Sequence, residues 1–410
     1  MQQATSDHRL YGADFVRAAA CIMVVAHHVA QRASPIALGP TGASAAMWVM
    51  MGAFGVSAFF VLSGYLLARP FWVAFDRGEP MPSLRTYALR RAARILPAYW
   101  LVMTITFLAS VLFLGAYLER TLVLRFVAGL LLVNDWHWLT FFPVEFNGPL
   151  WSIGFEITSY VLLPLCLMLI FVARPWLSGG MARLFWTGII LALIGAQWAI
   201  MTYVHIDPLG RSWNYGLVGG AKFWMPRFNP IGFFSIFAIG ALAAGVQVRL
   251  ASFRSPVFDL LALGGLSLAA WSITQHIGES EGFGLNGVPY GFPWFPIGVA
   301  LILLCTPSSL WIKRLSESVP VSFVARISFG IYVWHFFLME IVRVRSVPDY
   351  VYGGMNDAAQ WAWISGGVVA ASVVIATLSY YLFEEPIIRW ARGLEPRQPR
   401  PAAELTVPSG

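Results

Sequence analysis

Ten apolar runs alternate along the chain with short polar stretches, at 14–32, 46–68, 95–117, 152–172, 184–204, 230–248, 257–274, 293–310, 327–342 and 359–382. Each approaches the ~20 residues that an α-helix needs to cross the ~30 Å hydrocarbon layer of a bilayer. The pattern predicts an all-α fold, a polytopic transmembrane bundle of about ten spans. One further stretch, 121–142, opens as an apolar run but carries Asn134, Asp135 and His137. It is expected to be a non-spanning or re-entrant helix, because irregular polar backbone at membrane depth survives only inside protein. A true crossing there would invert every later element.

The charge pattern selects between these options. With ten crossings and a cytoplasmic N-terminus, only eight of the 27 Lys and Arg residues fall on the outer side: Arg32, Arg120, Arg125, Arg211, Lys222, Arg227, Arg343 and Arg345. Cytoplasmic loops are the ones that collect Lys and Arg, so both termini are expected to be cytoplasmic. Residues 1–9 then form a cytoplasmic N-terminal segment, 10–392 the membrane domain and 393–410 a disordered cytoplasmic tail. The N-terminus lacks the small-residue cleavage pattern of a signal peptide, so the first helix is expected to stay uncleaved. No internal repeat pairs the two halves in the manner of many transporters.

With 58% hydrophobic residues, 11% charged residues and a mean hydropathy of +0.68, the chain is excluded from the soluble globular class. The formal net charge of +7 reflects orientation and contact with anionic lipid, since no basic and aromatic module for nucleic acid is present. Cys21, Cys166 and Cys305 each sit in an apolar run without disulfide or metal-ligand spacing, which argues against redox and metal chemistry.

Ionisable groups inside a bilayer are costly and mark pathways or reaction centres. Arg17 and His28 are eleven residues apart in the first helix. At ~100° per residue they share one face, roughly 16 Å apart along the axis. A fixed cation thus lies near one surface and a titratable imidazole deep in the membrane, both expected to face one interior chamber. Asp14 stands one turn from Arg17 and can orient its guanidinium toward an anionic ligand. His27 points about 100° away from His28 and is assigned a structural role. Arg69, Arg77, Arg85, Arg90, Arg91 and Arg94 crowd the loop before the third span. Inside-positive anchoring explains part of this cluster, while Arg91 and Arg94, one turn apart, can grip a phosphate together. Ser152, Glu156 and Tyr160 form a polar stripe on the fourth span, and Ser328, Tyr332 and His335 another on the ninth. Glu156 is expected at the depth of His28, as a catalytic group or as a carboxylate joining helices.

In chain order, Ala13-Asp14-Phe15-Val16-Arg17 with His28, then Phe59-Phe60-Val61-Leu62-Ser63-Gly64-Tyr65, then Arg90-Arg91-Ala92-Ala93-Arg94-Ile95-Leu96-Pro97 resemble the acyltransferase-3 family of membrane acyltransferases. Trp151-Ser152 with Glu156, Tyr160 and Pro164, then Ser328, Tyr332 and His335, then Glu385-Pro386 extend the match from about residue 10 to residue 392. The resemblance implies a ten-helix protein, in a bacterial cytoplasmic (inner) membrane, that passes an acyl group, usually acetyl, from cytoplasmic acyl-CoA to a hydroxyl of a sugar or cell-surface glycan. Arg17 and His28 are then expected to be essential. Arg91, Arg94, Arg90 and Arg17 are the candidates for holding acetyl-CoA or another acyl-CoA. Ser152, Tyr160 and Tyr332 are candidates for the substrate, and no metal is called for. His28 would serve as general base or acyl carrier, helped by Glu156 or His335. Two departures stand out. The family often has Asp-Gly-Leu-Arg where Asp14-Phe15-Val16-Arg17 stands here, which predicts a less bent helix start. Some relatives carry a fused extracytoplasmic hydrolase-like domain, so any second step is expected from another protein.

The rival class is a transporter or flippase whose intramembrane charges bind a solute. Aromatic segments at 213–224 and 290–295 fit sugar stacking, but the preferred reading is interfacial anchoring.

Overall fold

Every apolar run that the sequence marks as a crossing is a helix. The computed structural model describes residues 11–277, 289–316 and 318–395; the expected segment 1–9 and the tail beyond residue 395 lie outside them. In chain order the helices are α1 (Ala13–Ala30), α2 (Pro35–Met50), α3 (Gly55–Asp76), α4 (Leu84–Leu112), α5 (Arg120–Leu130), α6 (Trp151–Val172), α7 (Gly179–Tyr203) and α8 (Gly216–Trp224). They continue as α9 (Pro230–Leu250), α10 (Pro256–Thr274), α11 (Trp294–Cys305), α12 (Ile312–Leu315), α13 (Val319–Arg345), α14 (Ala358–Ser379) and α15 (Glu385–Gly393). Among the described residues nine helical stretches are long and apolar enough to cross a membrane, and α11 with the turn after it is a shorter apolar tenth.

One boundary differs markedly from the sequence reading. The Arg-rich segment expected as a loop is mostly helix. The Ser83 hydroxyl accepts a hydrogen bond from Thr86 N at 3.3 Å and starts α4 eleven residues before the expected span. Arg85, Arg90, Arg91 and Arg94 therefore ride on one rigid helix. Segment 121–142 is too short a helix to cross, as expected: α5 has 11 residues, roughly 16 Å, and irregular chain follows. That chain is held at depth by its own polar side chains. Asn147 donates to the Val333 carbonyl at 3.0 Å, near the middle of α13, and Arg125 pairs with Glu145 and donates to the Phe142 carbonyl at 2.6 Å.

The contacts between α1 and α13 fix the parity of the crossings. Cys21 meets Ser328 and His28 meets His335, both across 307 residues, while Arg32 meets Glu340 and Asp14 meets Ser322 across 308. A constant offset means that the two helices run parallel, so an even number of steps separates their directions. That parity fits α11 crossing and 121–142 not crossing, and the contacts of α11 decide against the reverse. The α11 helix lies antiparallel to α10, with Gly265 against Leu301 and Gly298 against Ala269. After it, three backbone N–H groups, of Leu310, Trp311 and Ile312, donate to Asp259 in the first turn of α10. The chain has returned to the side where α10 began.

At the centre, α3 and α9 touch backbone to backbone. A Cβ on Gly64 would lie 2.0 Å from the Phe237 oxygen, and one on Gly240 would lie 1.9 Å from the Val61 oxygen. Small residues permit such approach where packing rather than the hydrophobic effect joins helices. Gly240→Ala is expected to lose the folded, monodisperse protein in size-exclusion chromatography or to lower its thermal midpoint sharply. Gly264→Ala, with nothing within 4 Å of the added atom, is expected to change neither.

Candidate active site

The polar groups of the bundle collect around two cavities. The smaller, about 100 Å³, is lined by Arg17, Arg91, Arg94, Ser63, Ser152, Glu156, Tyr160, Ser328 and Tyr332, among others. The larger, about 370 Å³, holds His28 with His27, Gln31, Glu145, Glu340 and Arg343 in a largely aromatic wall. The two share no lining residue. Arg17 and His28 both face inward, but the single expected chamber is divided. The Tyr332 hydroxyl stands at the partition, 2.6 Å from the Ser152 hydroxyl and 3.0 Å from the Pro149 carbonyl. Ser152 belongs to the smaller cavity and Pro149 to the larger.

In the smaller cavity, α1, α3, α4, α6 and α13 converge. Asp14 sits 3.6 Å from the Arg17 guanidinium and accepts from Ser322 at 3.3 Å, so the expected orienting carboxylate is in place. Glu156 accepts from the Ser63 hydroxyl at 3.0 Å and from the Tyr160 hydroxyl one turn on. The sequence reading put Glu156 level with His28; instead it shares the cavity of Arg17. The cause is the buried segment before α6, which carries the start of that helix into the bundle, so that α6 begins beside the middle of α13. Arg94 reaches the Arg326 carbonyl at 3.4 Å and lies over the Tyr380 ring. Arg90 departs from its expected place beside Arg91. It turns to Glu395, with contacts of 2.7 and 2.5 Å, and holds that carboxyl below its usual range.

The larger cavity is organised by paired imidazoles. His335 Nδ1 lies 3.0 and 2.8 Å from the carbonyls of Ile331 and Tyr332, which only accept, so this nitrogen carries the proton. Its Nε2 is then an acceptor and lies 3.1 Å from His28 Nδ1, which also lies 3.0 Å from the Val24 carbonyl. Facing two acceptors, His28 Nδ1 must be the donor. For neutral rings the network therefore assigns the lone pair of His28 to Nε2, on a residue that lines the cavity. Edge contacts with His27 and Phe336, centroids 4.8 and 5.0 Å away, fix the ring. His335 is 1% exposed and lines neither cavity, so it acts through His28. His27 donates to the Met50 carbonyl, the structural role expected of it.

Three features escaped sequence reasoning. Arg32, 1% exposed, pairs with Glu340 at 2.7 Å, and Glu340 also accepts from Arg343 at 2.6 Å. Only the Glu340 and Arg343 spacing hinted at this; the Arg32 partner is 308 residues away. The strip after α13 folds back over the end of α1, where Gly353 N and Met355 N donate to the Gln31 and Arg32 carbonyls at 2.8 and 3.0 Å. Trp213 and Trp224, read as interfacial anchors, instead line the larger cavity, while Tyr290 and Phe295 are buried. The spacing of α8 gives no sign that it folds inward. Among the described residues no cluster of His, Cys, Asp and Glu has the makings of a metal site.

The chain can now be set beside known proteins. A family model described as an acyltransferase domain matches residues 10–381. The protein YrhL of Bacillus subtilis is 27% identical over 404 residues, covering 94% of this chain and 56% of the relative. The peptidoglycan O-acetyltransferase OatA of Listeria monocytogenes is 26% identical over 403 residues, covering 94% and 57%. The acyltransferase MdmB of Streptomyces mycarofaciens is 26% identical over 391 residues, covering 90% and 89%. The chain thus spans little more than half the length of the first two relatives. No solved structure matches. The match over nearly the whole membrane domain places the chain in the acyltransferase-3 family.

Proposed function

We propose that the protein is an integral membrane O-acyltransferase that moves an acetyl group from acetyl-CoA to a hydroxyl of a cell-surface glycan, in a bacterial inner membrane with both termini cytoplasmic. The observation that carries this reading is the His28–His335 pair, whose hydrogen bonds leave a basic nitrogen on His28 beside a cavity able to hold a substrate. The smaller cavity suits the donor: Arg91, Arg94 and Arg17 in its wall answer the donor's phosphates, while its narrowness admits an extended arm rather than a nucleotide. His28 Nε2 takes the proton of the acceptor hydroxyl as its oxygen attacks the thioester carbonyl. An ester C–O bond forms, the C–S bond breaks, and the proton passes from His28 to the departing thiolate. The acyl group must pass the Tyr332 partition to reach the acceptor.

In vesicles holding purified protein, free CoA thiol is expected to appear only when donor and sugar acceptor are both present. Solute uptake without CoA release would replace this reading with transport. Arg91→Ala and Arg94→Ala are each expected to raise KM for acetyl-CoA about tenfold or more, since a hydrogen bond to a charged group contributes ~1.5–3 kcal/mol. Arg90→Ala, whose guanidinium is engaged with Glu395, should leave that KM unchanged in the same assay.

A further inference from the structure

The proposed acetyl transfer leaves open which hydroxyl of the acceptor reacts, and the larger cavity carries a residue placed to decide it. Gln31 caps the end of α1, three residues beyond His28. Side chains at that spacing on a helix lie side by side, with Cβ atoms ~5–6 Å apart. Gln31 is 7% exposed and lines the cavity, yet its Oε1 is enclosed without a hydrogen-bond partner. An enclosed amide left unsatisfied is costly, and buried polar groups in native structures are normally paired. Its backbone carbonyl is already engaged by Gly353, so the side chain is not needed to hold the end of the helix.

The rest of the cavity narrows the ligand class. Trp151 and Trp224 meet edge to face with centroids 5.7 Å apart, and Trp213 meets Trp224 at 5.3 Å. Such rings pack against the C–H faces of a sugar ring while leaving its equatorial oxygens free. Glu340 and Arg343 line the same cavity, charged groups that match hydroxyls better than a long acyl chain. A volume of about 370 Å³ falls at the lower end of the range that encloses small ligands.

We infer that Gln31 is a specificity-determining residue that hydrogen-bonds the polar substituent beside the acylated hydroxyl of a sugar ring held in this cavity, and so selects the position that His28 deprotonates. An amide both donates and accepts, so it pairs with a hydroxyl in either sense. With His28 Nε2 and the Gln31 amide engaging adjacent oxygens, one hydroxyl is presented for attack and its neighbours are not. The inference rests on the proposed acetyl transfer to sugars.

The test uses the full-length protein in lipid nanodiscs with acetyl-CoA. Acceptors are the methyl glycosides of glucose, galactose and N-acetylglucosamine, and the monodeoxy analogues of the best of them, with ester position read by NMR. The wild type is expected to acetylate one position. Gln31→Leu, which keeps the volume, should lower kcat/KM about tenfold through KM and give a mixture of positional esters. The analogue lacking the neighbouring oxygen should be penalised to the same extent by the wild type and not at all by Gln31→Leu. Wild-type kcat/KM and a single ester position in Gln31→Leu would overturn the inference alone. Transfer to none of the sugars by the wild type would overturn the acceptor reading, and the role of Gln31 with it.

Discussion

His28→Ala is expected to lower acetyl transfer by about 100- to 10,000-fold, the contribution of a positioned general base, while the protein still inserts and elutes as the wild type does. The imidazole is hydrogen-bonded through one nitrogen: Nδ1 meets the Val24 carbonyl and His335, leaving the far nitrogen for chemistry. Truncation removes that nitrogen and enlarges a cavity without stripping any buried charge of its partner. The His335 variants separate positioning from direct action. His335→Ala leaves His28 Nδ1 held by the Val24 carbonyl alone, loosens the ring, and is expected to cost about tenfold, on the scale of one lost hydrogen bond. His335→Asn, which can still accept from His28 Nδ1, should recover part of the loss. Turnover of acetyl-CoA with a sugar acceptor measures all three. Undiminished turnover in a folded His28→Ala protein would remove His28 from the reaction.

The second large effect is on stability. Glu340→Ala is expected to destabilise the protein by about 3–5 kcal/mol, the usual result of leaving a buried charge without its partner. Arg32 is 1% exposed, its guanidinium 2.7 Å from Glu340 and 2.9 Å from the Tyr350 carbonyl, with the rings of Phe336, Tyr350 and Tyr352 around it at 4.9 to 5.5 Å. Without Glu340 the guanidinium keeps the Tyr350 carbonyl but loses its bridging carboxylate. Thermal unfolding in detergent, followed by tryptophan fluorescence, reads the loss as a lower midpoint. The double variant Arg32→Met with Glu340→Leu removes both charges and should unfold at a higher temperature than Glu340→Ala alone. A midpoint for Glu340→Ala equal to that of the wild type would show that the pair adds nothing.

The helices were legible because lipid imposes a simple rule: each crossing must satisfy its own backbone and show apolar side chains. The shared face of Arg17 and His28, and the stripe of Ser152, Glu156 and Tyr160, follow from helical spacing within one element and survive in the structure. What spacing does not carry is depth and partnership between elements. Glu156 sits with Arg17 rather than His28 because a loop, not a helix, sets where α6 begins. Arg32 looked like one more outer charge because nothing local points to Glu340. Trp213 and Trp224 looked like anchors because an inward fold of α8 leaves the composition of the segment unchanged. The partition at Tyr332 depends on α13 meeting α6 and the turn before it, and has no signature in either segment.

The parallel pairing of α1 with α13 has a consequence for how the enzyme comes into being. His28 leaves the ribosome early, but the imidazole that orients it is encoded 307 residues later. At ~5–20 residues per second of synthesis, roughly 15 to 60 seconds separate the two. Throughout that interval eight crossings can insert while His28 lacks its His335 partner. On the proposed mechanism, full activity therefore waits for completion of the ninth crossing, α13.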